Sequence, residues 1–433
     1  MSDPALMFAA IGGLLAAGSA IGYSRFARSR SPVTPPPGSR SVHPMFDLDR
    51  CIRSGACITA CPEGDVIRFV DGVPRLVDAT ACVGHADCIR SCCVGAVRLV
   101  LGTTAHGVEI PAIAADGETS LPNVYVAGEL GGVGLVHNAI AEGLAVVDTI
   151  RDRLRTRARP IPLTHDLVIV GAGPAGLAAA LRARELGLSF VVLDKGNLGG
   201  AIRSFPRQKL VMTTPFTLPL HGLVRRTEIS KEELLALWER LRDQHELPIH
   251  EQCEMTGLVP TVGGYEVVTR RGTFTTVHVV LALGRRGTPR RLDVPGEEAS
   301  HVTYELLEPE QYAGRACAVI GGGDSAVEAA LALAEISGTR VSLLHRRDTV
   351  SAKPKNQLRL DAARREGKIE FVGGVSPIAI DREVRFRRAD SSESGVPADF
   401  TFVMVGGELP APWLRSIGVE VETVHGRVIA VRS

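Results

Sequence analysis

The sequence predicts an α/β protein with two separate parallel-sheet units, one small cysteine-rich α+β module and one N-terminal apolar helix. Three observations lead to this class. A glycine-rich turn occurs twice, each time between an apolar strand and a helix. Seven of the nine cysteines lie between Cys51 and Cys93, and residues 4–24 carry no charge. The length agrees with several domains, because 433 residues exceed a typical domain of roughly 150 residues about threefold.

The composition indicates which kinds of molecule the protein is expected to bind. Hydrophobic residues make up 45% of the chain and charged residues 22%, which is typical of a globular protein. The 49 Lys and Arg nearly cancel the 48 Asp and Glu, and only 4% of the residues are aromatic. Nucleic-acid-binding proteins usually have a basic surface and aromatic side chains on which bases stack. The sequence therefore predicts no nucleic-acid partner.

Residues 1–24 are predicted to be a transmembrane anchor. A helix over residues 5–23 would be about 28 Å long at 1.5 Å per residue, close to the hydrocarbon thickness of a bilayer. Only Asp3 precedes this stretch, while Arg25, Arg28 and Arg30 follow it. By the positive-inside rule, the chain is expected to cross the inner (cytoplasmic) membrane once, with all later domains on the cytoplasmic side. A cleaved signal peptide is the alternative, but it requires basic residues ahead of the apolar stretch.

Residues 25–45 are predicted to be a proline-rich linker. Five prolines lie between residues 31 and 44, and such segments act as extended spacers. Within the anchor, Gly18 and Gly22 form a pair of small residues of the kind that lets two membrane helices pack closely. This pair leaves a homodimer as an open alternative.

The cysteines form two runs with the same spacing. The runs are Cys51, Cys57 and Cys61, and Cys82, Cys88 and Cys92. Each position of the first run maps to the second by adding 31 (51 to 82, 57 to 88, 61 to 92), which indicates an internal duplication. Such crowding indicates ligation rather than a disulfide framework. A Cys-x2-Cys-x2-Cys-x3-Cys-Pro run holds a 4Fe-4S cluster, but here Ser54 and His85 stand at the second place of the two runs.

Residues 46–101 therefore resemble a bacterial two-cluster ferredoxin. The resemblance implies two iron–sulfur clusters with crossed ligation. The implied ligand sets are Cys51, Cys57 and Cys92 with Ser54, and Cys82, Cys88 and Cys61 with His85. Each cluster is expected to be 4Fe-4S, or 3Fe-4S where Ser54 or His85 is not a ligand. Cys93 is either a swapped ligand or a small buried residue, and a structural zinc site is the alternative for the whole module.

The first glycine-rich turn lies in the segment DLVIVGAGPAG at residues 166–176. Gly171, Gly173 and Gly176 follow an apolar strand and open a helix, and the next strand ends in Asp194. Glycines in this arrangement let backbone N–H groups approach a pyrophosphate, and the acid 18 residues past Gly176 (194 − 176) is placed to bind a ribose hydroxyl. The segment predicts a dinucleotide-binding site.

The second glycine-rich turn, ACAVIGGGDSA at residues 316–326, repeats the pattern with Gly321, Gly323 and Ala326. Its second strand ends in a different set of residues, His345, Arg346 and Arg347. Two guanidinium groups at the place of the carboxylate suit a 2′-phosphate, which favours NADPH over NADH. A solvent-exposed loop is the alternative explanation of the two arginines.

From residue 166 onward the chain resembles the thioredoxin reductase-like flavoproteins. The shared motifs also include VVLALG at residues 279–284, LDVPGEE at 292–298, HRRD at 345–348 and DFTFVMVGGELP at 399–410. The resemblance implies two Rossmann-like domains, one for FAD at residues 151–285 and one for NAD(P)H at residues 286–398. Residues 399–433 are expected to return to the FAD domain. Residues 301–315 lack the redox-active cysteine pair of thioredoxin reductases.

Members of this family end in a strand, a glycine followed by an acid, and a helix, all next to the flavin. In this chain the matching pattern, TSLPNVYVAGEL, lies at residues 119–130. It places Gly128 and Glu129 as flavin-site residues, with residues 137–150 as the closing helix. Residues 102–150 are therefore interpreted as the last part of the FAD domain, moved ahead of the first part by circular permutation. A permutation is physically acceptable because chain termini often lie close together.

These features predict an FAD-dependent NAD(P)H oxidoreductase. NADPH is expected to deliver an electron pair to FAD, and the clusters are expected to pass single electrons to a redox protein or a membrane electron carrier. No side chain is predicted to act as a catalytic acid or base. Two alternatives stay open: a thiol or disulfide reductase resembling the bacillithiol disulfide reductases, and a non-enzymatic electron-transfer or scaffold subunit.

Overall fold

A computed structural model describes residues 42–429 except for residues 65, 79–81, 83, 85, 103–106, 133, 157–163, 206, 286–288, 408 and 409. The predicted anchor at residues 1–24, with Gly18 and Gly22, lies outside the described residues. So do His85 and most of the predicted linker.

The cysteine-rich module is built from two equivalent short helices and two small antiparallel strand pairs. Its elements are β1 (Val42–Phe46), α1 (Ala56–Thr59), β2 (Ile67–Val70), β3 (Val73–Leu76), α2 (Asp87–Arg90) and β4 (Val97–Leu101). Each helix follows a residue in the left-handed conformation, Gly55 at φ 77° and Ala86 at φ 69°. These two residues are also 31 positions apart (86 − 55), so the duplication seen in the cysteines extends to the backbone.

The next part of the chain forms the first large sheet and its helices. The elements are β5 (Val108–Pro111), β6 (Val124–Val126), α3 (Val136–Thr156), β7 (His165–Val170), α4 (Pro174–Glu185), β8 (Phe190–Leu193), β9 (Leu210–Met212), β10 (Phe216–Leu218), β11 (Gly222–Val224), β12 (Glu228–Ser230), α5 (Lys231–Gln244), β13 (Ile249–His250), β14 (Met255–Thr261), β15 (Gly264–Thr269) and β16 (Gly272–Leu281). The sheet has the order β13-β8-β7-β16-β15-β14, and β6 pairs with β16. The strands β7 and β8 are nearly continuous apolar runs, as expected for parallel strands covered on both faces.

The strand β6 and the helix α3 join this first sheet although they precede it in the chain. β6 runs parallel to β16, with Val124 opposite Val279. The helix α3 packs closely on α4, because a Cβ at Gly143 would overlap the backbone of Ala175. Tyr125 and Ile150 of this segment are fully buried in the same core cluster as residues of β7 and α4.

The second sheet is smaller and lies later in the chain. Its elements are β17 (Val302–Thr303), β18 (Ala316–Ile320), α6 (Asp324–Ala334), β19 (Arg340–Leu344), α7 (Pro354–Arg365), β20 (Ile369–Val372), β21 (Val375–Ile380), β22 (Glu383–Arg388), β23 (Glu393–Pro397) and β24 (Phe400–Val403). Five parallel strands have the order β17-β24-β18-β19-β20, and β21, β22 and β23 form an antiparallel sheet. Because β24 belongs to this second sheet, the predicted boundary at residue 398 lies ahead of the sheet's last strand.

The last described elements contact strands that come from the first part of the chain. They are α8 (Ala411–Ser416), β25 (Val421–Val424) and β26 (Arg427–Ile429). The helix α8 packs on the first large sheet through Leu414 and Ile417. β25 pairs with β5, and β26 pairs with β4 of the cysteine-rich module. Residues 411–429 therefore contact both the first large sheet and the cysteine-rich module.

The predicted membrane location is corrected by the structure. Among residues 42–429, as far as they are described, no helix is long and apolar enough to cross a bilayer. The longest described helix, α3, has 21 residues but carries six charged side chains, which is too many for a bilayer core. These are Glu142, Asp148, Arg151, Asp152, Arg153 and Arg155.

Candidate functional site

The first glycine-rich turn connects β7 to α4 in a tight backbone arrangement. Gly171 has φ 110°, and a Cβ there would overlap the carbonyl oxygen of Ala282. A Cβ at Gly176 would overlap the carbonyl oxygen of Gly171. By contrast, a Cβ at Gly173 would meet no atom of the described residues within 4 Å beyond its chain neighbours. Gly171 and Gly176 therefore allow the strand and helix to pack, while Gly173 leaves open space beside the helix N-terminus.

Asp194, at the end of β8, holds this turn through two backbone hydrogen bonds. Its carboxylate accepts one from the Ala172 N–H at 2.6 Å and one from the Gly196 N–H at 2.7 Å. Burial raises the pKa of Asp194, and the two backbone donors oppose that rise. The carboxylate that the sequence assigns to a ribose hydroxyl thus also positions the glycine-rich turn.

Gly128 and Glu129 lie at the carboxyl end of β6, beside the first turn. The Gly128 N–H donates to Glu142 Oε2 of α3 at 2.8 Å. A Cβ at Gly128 would lie 3.0 Å from the Ala175 Cβ, and one at Gly284 would lie 4.0 Å from Glu129 Oε2. The structure therefore brings the Glu129 carboxylate to the ends of β6 and β16, close to the start of α4.

Sequence reasoning missed Asn138, which lies in the first turn of α3. Its side chain is 1% exposed, and neither amide atom has a hydrogen-bond partner among the described residues. Its neighbour Ala139 lies next to Gly128, because a Cβ added at Gly128 would be 3.5 Å from the Ala139 Cβ. An unpaired buried amide is costly, which makes Asn138 a candidate for a hydrogen bond to a bound group. The polar pair His137 and Asn138 at the start of an amphipathic helix was the available signal.

The second glycine-rich turn repeats the geometry of the first. Gly321 has φ 153°, and a Cβ there would overlap the carbonyl oxygen of Met404, which follows β24. Ala326 replaces the third glycine and is fully buried. A Cβ at Gly323 would meet no atom of the described residues within 4 Å beyond its chain neighbours. Gly323 therefore leaves the same open space as Gly173.

The residues after β19 differ from those after β8. The ring of His345 lies over Gly322, because a Cβ at that glycine would overlap it. Burial lowers the pKa of His345, and the positive charges of Arg346 and Arg347 lower it further. His345 Nε2 is buried without a hydrogen-bond partner in the described part of the chain. Both arginines are exposed beside the turn, where an anionic group can reach them.

The first group of predicted metal ligands lines a single cavity, which we call the outer site. Its ligand candidates are Cys51, Ser54, Cys57 and Cys92. Burial raises the pKa of Cys57, and the nearby charges of Cys51 and Cys92 act in the same direction. The structure thus groups Cys92 of the second run with two cysteines of the first run.

A second group of thiols, which we call the inner site, consists of Cys61, Cys82 and Cys88. Burial raises the pKa of Cys88 to about 12, and the charges of Cys82 and Cys61 add to this effect. Burial also raises the pKa of Cys82, and Cys61 acts in the same direction. Buried neighbouring thiols of this kind become thiolates when a cationic centre binds them.

Further observations bear on the role of Cys93 and on the alternative of a structural zinc site. All nine cysteines are free, and Cys93 is exposed rather than buried. Within the part of the chain that the structure describes, no three His, Cys, Asp or Glu side chains are grouped closely enough to hold a single metal ion. His85, the fourth ligand implied for the inner site, lies outside that part.

Comparisons with known proteins define the family. The chain belongs to the pyridine nucleotide-disulphide oxidoreductase family, whose model matches residues 168–428. A 4Fe-4S dicluster domain model matches residues 43–93. The predictions of an FAD-dependent NAD(P)H oxidoreductase and of a ferredoxin-like dicluster domain are confirmed.

Individual relatives are similar to the flavoprotein part of the chain. The bacilliredoxin reductase Bdr of Bacillus subtilis is 30% identical over 268 residues, which cover 60% of this chain and 82% of the relative. A ferredoxin–NADP reductase of Streptococcus sanguinis is 31% identical over 267 residues, covering 59% and 78%. The solved structure of the bacillithiol disulfide reductase Bdr from Bacillus cereus superposes with a TM-score of 0.50 at 26% identity, covering 59% of this chain and 82% of that one.

Proposed function

We propose that the chain oxidises NADPH and passes the electrons through FAD and two iron–sulfur clusters to a separate redox protein. The observation that carries this proposal is the close approach of the two halves. Leu101, at the end of β4, pairs with Val42 of β1, and the Cys82 Sγ of the inner site lies 3.6 Å from the Val42 carbonyl oxygen. On the other side, a Cβ at Gly132, three residues after Glu129, would lie 2.7 Å from the Leu101 side chain. This series of contacts supports electron transfer between the flavin site and the inner site.

The residues of the first turn are suited to FAD. Gly171, Gly173 and Gly176 offer backbone N–H groups to the pyrophosphate, and Asp194 holds the turn in place. Glu129 and the unpaired amide of Asn138 provide hydrogen-bonding groups for the rest of the cofactor. When bound, FAD supplies a group that takes up electrons in pairs and releases them singly.

The second turn is suited to NADPH. Gly321, Gly323 and Ala326 form the pyrophosphate turn, and the Arg346 and Arg347 guanidinium groups bind the 2′-phosphate. His345 covers Gly322 and shapes the turn. Both arginines are exposed, so a phosphate can bind without displacing an internal ion pair.

The two cysteine groups are suited to iron–sulfur clusters, which supply one-electron carriers when bound. The outer site offers Cys51, Cys57 and Cys92 with Ser54 as fourth ligand. The inner site offers Cys61, Cys82 and Cys88, with His85 as fourth ligand. A 3Fe-4S cluster fits either group if its fourth residue does not bind iron.

The domain organisation that we propose is a circular permutation. Residues 102–150 supply β6, α3 and the acid Glu129, which close the FAD domain of residues 151–285. Support comes from the parallel pairing of β6 with β16 and from the close packing of α3 on α4.

A thiol or disulfide reductase is the second candidate, favoured by the similarity to the bacilliredoxin reductase of Bacillus subtilis. In this alternative the flavin site acts directly on a thiol substrate, and the clusters take no part. Residues 301–315 contain no cysteine, so the chain itself offers no redox-active pair there.

Rapid mixing with NADPH separates the candidates. The anaerobically purified protein is first assayed for iron, sulfide and flavin, and its clusters are identified by EPR. The proposal predicts bleaching of the flavin band followed by reduction of the clusters. Flavin bleaching with clusters that stay oxidised would favour the thiol reductase, and a preparation without iron or flavin would refute the proposal.

A further inference from the structure

We infer that Gly373 and Ser351 hold a short loop in its phosphate-binding conformation before a nucleotide binds, and that they thereby set the preference for NADPH over NADH. The loop comprises residues 345–353, which include Arg346 and Arg347, and connects β19 to α7. We call it the arginine loop. This inference rests on the proposed function and adds the residues that position the two guanidinium groups.

The first end of the arginine loop is fixed where β19 ends. The His345 N–H donates to the carbonyl oxygen of Val372 at 2.9 Å, and the His345 carbonyl accepts from the Val375 N–H at 3.1 Å. The ring of the same histidine lies over Gly322 of the second glycine-rich turn. Because both backbone groups of His345 are bonded, the loop leaves the sheet in a defined direction.

The far end of the loop is bonded to the second glycine-rich turn itself. Ser351 donates twice to the carbonyl oxygen of Gly322, from its backbone N–H at 2.7 Å and from its hydroxyl at 3.1 Å. The Lys353 N–H donates to the Asp324 carboxylate at 2.8 Å. The buried amide of Asn356 donates to the same carboxylate oxygen, also at 2.8 Å. Both ends of the arginine loop therefore contact the turn that we propose for the pyrophosphate.

The middle of the loop packs against Gly373, which follows β20. A Cβ at Gly373 would lie 2.9 Å from the Asp348 Cα and 3.1 Å from the Arg347 carbonyl oxygen. Both atoms belong to the loop backbone, which cannot turn aside as the end of a flexible side chain can. A glycine at this position therefore lets the loop come this close, and a larger residue would push away the backbone that bears Arg347.

These three attachments order the backbone of the loop and leave its two guanidinium groups to meet the ligand. Arg346 and Arg347 are exposed and lie between the attached residues His345 and Asp348. A loop that is already ordered loses little conformational freedom when a phosphate binds, so it binds the phosphate more tightly than a mobile loop does. NADPH benefits from this order, whereas NADH lacks the 2′-phosphate. Gly373 and Ser351 are thus positioning residues, which act through the arginines.

Hydrogen exchange on the nucleotide-free holoprotein tests whether the loop is ordered in advance. Amides that donate hydrogen bonds within a structured segment exchange slowly. The Ser351 and Lys353 amides are therefore expected to exchange at least about tenfold more slowly than in an unstructured peptide, and to lose this protection in Gly373→Ala. Mass spectrometry with single-residue fragmentation provides the measurement. Unprotected exchange of both amides in the wild type would overturn the inference, whichever nucleotide the protein uses.

Steady-state kinetics with a small artificial acceptor test whether the order of the loop sets the nucleotide preference. Gly373→Ala is expected to raise the KM for NADPH about tenfold and to leave the KM for NADH nearly unchanged, since only the contacts to the 2′-phosphate are displaced. Gly257→Ala is the matched control, because a Cβ there would make an ordinary contact, 3.8 Å from the Val268 Cβ. Flavin content and thermal unfolding verify that each variant is folded. An equal rise in both KM values, or no rise in either, would overturn the role of Gly373.

Ser351 provides a second test that needs no glycine substitution. Ser351→Ala removes the hydroxyl donor and is expected to raise the KM for NADPH about fivefold, which corresponds to one neutral hydrogen bond. Ser351→Thr keeps a hydroxyl and should retain the KM of the wild type. A merely structural role would lower the stability of Ser351→Ala without changing the ratio of the two KM values, and that result would overturn the role of Ser351.

The proposed function fails on a different observation. Failure of NADPH to bleach the flavin of the wild type would refute the proposed function, while the exchange experiment, which uses no nucleotide, still decides whether the loop is ordered. Equal KM values for NADPH and NADH in the wild type, together with a protected loop, would overturn the link between loop order and nucleotide preference.

Discussion

The two glycine-rich turns share one backbone geometry but end in different chemistry. In both, the first glycine has a positive φ and lies against the carbonyl of the residue that follows a neighbouring strand, Ala282 for Gly171 and Met404 for Gly321. In both, the second glycine leaves open space at the helix N-terminus. These shared features form a cradle for a pyrophosphate and do not distinguish one dinucleotide from another.

The difference lies in what surrounds each cradle. The first turn is held by the Asp194 carboxylate and faces a closing segment that brings Glu129 and Asn138. The second turn is covered by His345 and flanked by two exposed arginines. The comparison teaches that cofactor identity is set by the strand ends and by what packs over them.

Gly176→Ala should have the largest effect, because its Cβ would overlap the carbonyl oxygen of Gly171. Overpacking of this kind costs about 1–3 kcal/mol and distorts the turn. We expect most of the bound flavin to be lost, measured as the ratio of flavin to polypeptide after purification. The second turn already has Ala326 at this position, so Ala326→Gly is the matched control and should retain flavin. Full flavin content in Gly176→Ala would show that the two turns are equally tolerant.

The double variant Arg346→Ala/Arg347→Ala tests the difference at the strand ends. Loss of two charge-assisted contacts to a 2′-phosphate should raise the KM for NADPH by about 10–100-fold. The KM for NADH should change little, since NADH lacks that phosphate. Steady-state kinetics with both nucleotides and a small artificial acceptor provide the measurement. Arg359→Ala, an exposed arginine on α7, is the control. Equal loss for both nucleotides would contradict the assignment.

The glycine-rich turns could be predicted because their geometry is local. Strand, turn and helix follow one another within a short segment, so the spacing of Gly171, Gly173 and Gly176 already encodes the packing. The cysteine runs were similarly informative, since the duplication by 31 positions also describes the backbone around Gly55 and Ala86.

Features that depend on distant contacts were harder to predict. The burial of the Asn138 side chain depends on how α3 packs in the folded protein, and the polar pair His137 and Asn138 was only a weak local signal of it. The pairing of β26 with β4 joins residues more than 300 positions apart, and the sequence, which predicted that residues 399–433 return to the FAD domain, did not predict this contact with the cysteine-rich module. The membrane prediction relied on the hydropathy and the flanking charges of one segment, and the described helices do not support it.

Asn138→Leu tests whether the segment that packs beside the first glycine-rich turn contributes a hydrogen-bonding group to the flavin site, which the second turn has no counterpart for in this comparison. If the amide binds FAD, the variant should bind flavin about 1–3 kcal/mol more weakly, because a hydrogen-bonding group is lost. If the amide has no ligand, a leucine of similar size should stabilise the protein, since an unpaired buried polar group is removed. Flavin titration of the deflavinated protein measures the change in flavin affinity, and thermal unfolding measures the change in stability. Unchanged flavin affinity with higher stability would contradict a role for Asn138 in the site.

His345 should give the smallest effect, visible as a pH dependence. Burial and the neighbouring arginines lower its pKa in the folded state below the usual value of about 6.5. The unfolded chain therefore binds the proton more readily, and this contribution to stability is present above about pH 6.5 and lost as the pH falls towards the folded pKa. His345→Gln should flatten the dependence of the unfolding free energy between pH 7 and 5, by at most about 1.4 kcal/mol per pH unit. His137, whose pKa burial also lowers, is present in both proteins and cancels in the difference. Identical pH profiles would show that the His345 ring is not desolvated over the second turn.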